Sequence, residues 1–137
     1  SFPTRRSSDL MARKKKEKKR MSPKEMRSFT SSKLNTVRLL LENQKPNEAM
    51  VYMFHILSWL IENKFDVKKP DSMTIKEFFN DLVKSSKVPP DNIHPYVKII
   101  EETLYSHHEL PPDLLEQYKG LWGNLYRDIV GDMAPSF

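Results

Sequence analysis

The stretch that most constrains this chain is Pro46–Phe65, PNEAMVYMFHILSWLIENKF, whose apolar residues run almost all the way round a helical wheel. Ala49, Met50, Met53, Phe54, Leu57, Leu60 and Ile61 keep the i, i+3, i+4 spacing of one buried face. Val51, Tyr52, Ile56 and Trp59 make the opposite side apolar as well. A helix of this kind belongs in the middle of a bundle, with other elements covering both sides. Its uncharged run, Ala49–Ile61, contains His55 and Ser58 and is closed by Glu48 and Glu62. That run falls well short of the roughly 20 apolar residues a membrane span needs, so the stretch reads as a core helix.

Around it the sequence predicts four more helices. Ser22-Pro23-Lys24-Glu25 is a helix start, with Ser22 as N-cap, Pro23 at the first helical position and Glu25 closing a capping box. Met26, Phe29, Leu34, Val37, Leu40 and Leu41 continue it as one apolar stripe to about Asn43, and Gln44-Lys45-Pro46 breaks it. So short a connection makes the first two helices antiparallel neighbours. The pair resembles a single tetratricopeptide-type hairpin, but no second copy follows at a fixed period, which excludes a repeat array. A second capping box, Thr74-x-x-Glu77, opens a short third helix with Ile75, Phe78, Phe79, Leu82 and Val83, ending near Ser86. Asp91 or Asn92 is expected to cap a fourth, with Ile93, Tyr96, Val97, Ile100 and Leu104 on one face. The turn Tyr105–Pro112 leads to a last helix carrying Leu114, Tyr118, Leu121, Trp122, Leu125 and Ile129, closed by Gly131. The expected fold class is all-α: a bundle of about five helices over residues 22–131 around the central helix 46–65, followed by a tail, 132–137.

Net charge divides sharply along the chain. Residues 1–20 hold nine Lys or Arg against Asp9 and Glu17, whereas residues 21–137 hold fourteen against sixteen acids, so the predicted domain is slightly acidic. Ser1–Leu10, SFPTRRSSDL, resembles a sequencing-library adapter translated in frame, a scar rather than a domain; the alternative is a natural Arg/Ser leader. Met11 is then either a true start or an internal residue of a longer protein. Met11–Arg20 has no apolar face and is expected to be disordered, the basic segment running to residue 21. Its cations Arg13, Lys14, Lys15, Lys16, Lys18, Lys19 and Arg20 admit three readings. They form a solubilising tail, a cytoplasmic juxtamembrane segment facing anionic lipid, or a phosphate-binding arm for nucleic acid. The arm is the weakest, because the acidic domain behind it offers no basic stripe to extend a phosphate track.

Catalytic chemistry finds no residues in readable patterns. The chain has no cysteine, which removes disulfides, thiolate metal sites and cysteine nucleophiles. It also has no P-loop, HExxH or GxSxG pattern. His107-His108-Glu109 holds metal-ligand residue types, but adjacent histidines lack the i, i+4 spacing of a helical zinc pair, so a surface turn is expected. His55, inside the apolar helix, is expected to be a hydrogen-bonded core histidine. Glu101 and Glu102 are neighbours and do not form a carboxylate pair by spacing. No enzyme, cofactor, metal or small-molecule substrate is expected.

The expected role is interaction. Tyr105, His107, His108, Trp122 and Tyr126 gather near one end of the second half of the chain and form the candidate partner surface. Gly120 and Gly123, two glycines in one helix, suggest close approach of another backbone, either the central helix or a partner. Thr74-x-x-Glu77-Phe78, Glu102-x-x-Tyr105-Ser106, Leu110 and the Leu114-to-Leu125 stripe together resemble the C-terminal helical domain of unknown function carried by bacterial and archaeal transglutaminase-like membrane proteins. The resemblance spans about 73–130. It implies a cytoplasmic, non-catalytic accessory domain, with any transglutaminase residues elsewhere; taken with the basic segment, the expectation is a membrane-proximal domain that binds a protein partner. The alternative reading is a small nucleic-acid-associated protein using its basic N-terminal arm.

Overall fold

A computed structural model describes residues 21–136. The adapter-like stretch 1–10 and the cations Arg13 to Arg20 lie outside the described residues. Five helices follow in order: α1 Pro23–Glu42, α2 Pro46–Phe65, α3 Ile75–Lys84, α4 Ile93–Ser106 and α5 Pro112–Val130. No strand occurs among the described residues, and the chain is all-α.

Both capping boxes form. The Ser22 hydroxyl accepts from Glu25 N–H at 3.2 Å while Ser22 N–H donates to the Glu25 carboxylate at 3.3 Å. Thr74 and Glu77 repeat the exchange at 3.1 and 3.4 Å. Each box satisfies orphan donors at a helix start, which explains why α1 and the short α3 begin where they do. Asn92 departs from expectation: it stands at the cap position of α4, yet its side chain makes no capping bond. It donates instead to Asp128 at 3.3 Å and accepts from Asn124 at 3.2 Å, fastening the start of α4 to α5.

α2 is the centre. It packs against α1, α4 and α5, and Phe54 meets Phe79 of α3 edge-on with ring centroids 6.1 Å apart. Ala49, Met50, Met53, Phe54, Ile56, Leu57, Leu60 and Ile61 are buried. Apart from Lys64 in its last turn, α2 exposes one narrow strip, Glu48, His55 and Glu62, flanked by half-buried Val51, Tyr52 and Trp59. His55 is therefore exposed and not a core histidine. Seven residues separate it from Glu48 and again from Glu62, so all three share one helical face. Trp59 is covered by Phe29 of α1, stacked at 3.5 Å between centroids.

α5 closes the bundle with Tyr118, Trp122, Leu125, Tyr126, Ile129 and Val130 buried. Tyr118 donates its hydroxyl proton to the Met50 carbonyl at 2.8 Å, and Trp122 Nε1–H donates to the Met53 carbonyl, also at 2.8 Å. Because Tyr118 gives its proton to Met50, Tyr96 of α4 must be the donor in the 2.7 Å contact between the two hydroxyls. One hydrogen-bonded line thus crosses from α4 through α5 to α2. After Gly131, in the left-handed region at φ 87°, the tail lies against α1. Arg27 donates to the Met133 carbonyl, Arg38 donates to the Ser136 carbonyl at 3.3 Å, and Pro135 is buried.

Candidate interaction surface

The structure divides the five candidate partner residues. Trp122 and Tyr126 are fully buried and belong to the core, not to a surface. The stripe of α5 is wide because it faces both α2 and α4, so both aromatic side chains are consumed inside the bundle. The close-approach reading of Gly120 and Gly123 also fails: a Cβ at either position meets nothing within 4 Å. Gly120 is exposed and Gly123 half-buried, on the solvent side of α5.

Tyr105, His107 and His108 do lie at the surface. Tyr105 is 73% exposed, and its neighbour Leu104, expected on the buried face of α4, is 42% exposed. α4 runs two residues further than the sequence suggested, through Ser106; Ile100 and Thr103 are buried on its inner face while Leu104, Tyr105 and Ser106 are exposed. His107 at φ 58° ends the helix in the left-handed region, and Asn47 of α2 holds the turn that follows. The Asn47 amide donates to the His108 carbonyl at 2.9 Å and accepts from Leu110 N–H at 2.8 Å. Nothing in the local pattern marked Asn47, an unremarkable polar residue at the second position of a helix; only its pairing with a segment about sixty residues away gives it a role.

Leu104 and Tyr105 form a ridge between concave surfaces. On one side a groove of about 600 Å³ runs between α3 and α4, from Val83, Pro90 and Ile93 at one end to Lys76 and Tyr105 at the other. It continues past Tyr105 into a smaller hollow of about 220 Å³ bordered by Met73, Ile75, Ile100 and Leu104. On the other side of Leu104, a largely apolar depression of about 490 Å³ is walled by Leu40, Val51 and Tyr52, with His55 and Glu48 at its edge. The exposed histidine that sequence reasoning placed in the core thus borders the same surface as Leu104. The charged groups of α4 are Lys98, Glu101 and Glu102, and Lys98 lies 4.0 Å from Glu102 one turn on. Both are well exposed, so that pair adds little to stability.

Titration is perturbed in the interior. Burial raises the Tyr96 and Tyr118 hydroxyls well above the usual phenol range; the mutual hydrogen bond opposes the rise at Tyr96 and adds to it at Tyr118. Burial also raises Tyr126, opposed by the nearby Thr30 hydroxyl and Arg27. The Tyr126 hydroxyl has no partner in good hydrogen-bond geometry, and Thr30 spends its own proton on the Met26 carbonyl at 2.7 Å. Among the described residues no group of three His, Asp or Glu converges to hold a metal ion, and no helix is long and apolar enough to cross a membrane. No family model, no curated protein and no solved structure matches this chain.

Proposed function

We propose that the folded part is a non-catalytic accessory or protein-interaction domain, held close to a membrane on its cytoplasmic side by the lysine-rich segment Arg13–Arg20. The observation that carries the interaction reading is the Leu104–Tyr105 ridge. These are two large apolar side chains at adjacent exposed positions, flanked by grooves, on a molecule whose other aromatic and aliphatic side chains are mostly buried. Exposed apolar ground bordered by polar groups is what protein-binding surfaces offer. The tether reading is supported by the charge division: seven cations precede a domain that is net acidic. Each cation near an anionic leaflet contributes about 1 kcal/mol, and the acidic domain discourages a nucleic-acid track.

Side-by-side binding tests this. The full chain is titrated against vesicles containing phosphatidylserine and against duplex and single-stranded DNA and RNA, beside a variant with all seven cations replaced by Gln. Vesicle binding lost in the variant is the expected result. Tight nucleic-acid binding without vesicle binding overturns the tether and favours a phosphate arm. Salt dependence alone does not separate the two, since both weaken as counterions compete.

A further inference from the structure

On α4, exposed His94, Lys98 and Tyr105 and half-buried Glu101 all line the α3–α4 groove. Their spacing of four, three and four is that of a seam between two paired helices. The seam forms one wall of the α3–α4 groove along its whole length. A symmetric dimer uses one patch twice, so each contact must be complemented within the same patch. This stripe meets that condition. If a second α4 lies antiparallel, with the two-fold axis midway between Lys98 and Glu101, then Lys98 faces Glu101 of the second copy and Glu101 faces its Lys98. The same axis sets Tyr105 opposite His94, over the end of the groove walled by Val83, Pro90 and Ile93. That end is the apolar hole, and Tyr105 is the most exposed of the large hydrophobic side chains among the described residues.

From this geometry we infer that the α3–α4 groove is a self-association surface whose occupant is the α4 stripe of a second copy of this chain, with Tyr105 as the knob. Other occupants fit less well. Glu101 and Glu102 repel an anionic lipid surface or nucleic acid, and a stripe balanced between Lys98 and Glu101 has no net charge with which to attract a strongly charged peptide. The centre of the seam is ionic, so the association is a concentration-dependent equilibrium and not an obligate dimer.

The inference rests on reading α4 as an interaction surface, whereas vesicle binding depends on the basic segment, so the two fail separately. Sedimentation equilibrium of the full chain over a wide concentration range is the first measurement, with a monomer–dimer equilibrium expected. Lys98→Glu and Glu101→Lys are each expected to weaken the dimer at least tenfold, because every reversal appears twice across the axis and each 1.4 kcal/mol is about tenfold. The double swap K98E/E101K is expected to restore association to near the wild-type constant, and Tyr105→Ala to weaken it. Thermal melts of the variants check folding. As a second route, the chain lacks cysteine, so Glu102→Cys gives a single thiol beside the proposed axis. A short bis-maleimide is expected to link it into dimers, and to fail with Lys33→Cys on α1. A chain monomeric at every concentration overturns the inference, even if it still binds vesicles. So does a dimer indifferent to both single reversals, or one that the double swap fails to restore while its melts are unchanged, or equal cross-linking at both cysteine positions.

Discussion

The α2–α5 seam and the outer face of α4 are built from similar residues and behave oppositely. Each carries aromatic residues on a helix: Tyr118, Trp122 and Tyr126 repeat at helical spacing on one, and Tyr105 stands alone among polar and charged neighbours on the other. In the seam, the polar ends of Tyr118 and Trp122 reach carbonyls of the central helix at 2.8 Å. Burial is tolerable there because those polar atoms keep partners. On α4, Tyr105 sits on the outer side of the last turn and is 73% exposed, while Thr103 in the same turn is buried. An aromatic residue becomes core or surface according to whether a second element arrives opposite it.

The sharpest way to break this contrast is Trp122→Ala. Removing a fully buried indole that also donates to Met53 should cost about 3–5 kcal/mol, read as a large drop in denaturation midpoint. A cost below about 1 kcal/mol would mean the seam is not the core.

Alkaline titration comes next. Burial raises Tyr96 and Tyr118 above the ordinary phenol value of 10.0, so the unfolded chain loses protons before the folded one does. Stability is then full below about pH 10 and falls as pH climbs above it, by up to about 1.4 kcal/mol per pH unit for each hydroxyl that stays protonated in the fold. Tyrosinate absorbance from these two residues should appear only as helical signal is lost. Early tyrosinate from Tyr118 in a Tyr96→Phe background, without unfolding, would contradict the burial.

Tyr118→Phe should cost about 1–3 kcal/mol, because it strands the Tyr96 hydroxyl without its acceptor. In Tyr96→Phe/Tyr118→Phe the cost should fall short of the sum of the single changes, since the two hydroxyls share one line of bonds. Additivity in a thermodynamic cycle would show that the line is not coupled.

On the solvent side of α5, Gly120→Ala and Gly123→Ala should each raise stability by about 1 kcal/mol, the helix penalty of glycine, because an added methyl meets open space. A loss of stability in thermal melts would revive the close approach that the structure denies. The smallest effect belongs to the exposed ridge. Tyr105→Ala and Leu104→Ser should change monomer stability by less than about 0.5 kcal/mol. A larger loss would place the ridge in the core.

Legibility in the sequence followed the range of the interactions involved. Ser22–Glu25 and Thr74–Glu77 were readable because a capping box is closed within four residues and needs no distant partner. The five helices and the centrality of Pro46–Phe65 were readable because period and apolar width are local properties of the chain. The candidate surface was only half legible. Tyr105, His107 and His108 were placed at the surface by their turn, whereas Trp122 and Tyr126 were misplaced because a broad aromatic stripe looks the same whether it meets two neighbours or a partner. Leu104, His55 and Asn47 were missed for a related reason: each depends on which helix lies opposite.

The sequence by itself determined an all-helical chain with a central helix, its capped starts, and the separation of seven N-terminal cations from an acidic domain, since these follow from residue type and near spacing. Only the tertiary structure decided which faces were covered. It put α5 rather than solvent beside Met50 and Met53, left Leu104 and Tyr105 exposed, and opened the groove between α3 and α4. The physical reason is that burial is a property of pairs of elements brought together from distant parts of the chain, and periodicity reports only one member of each pair.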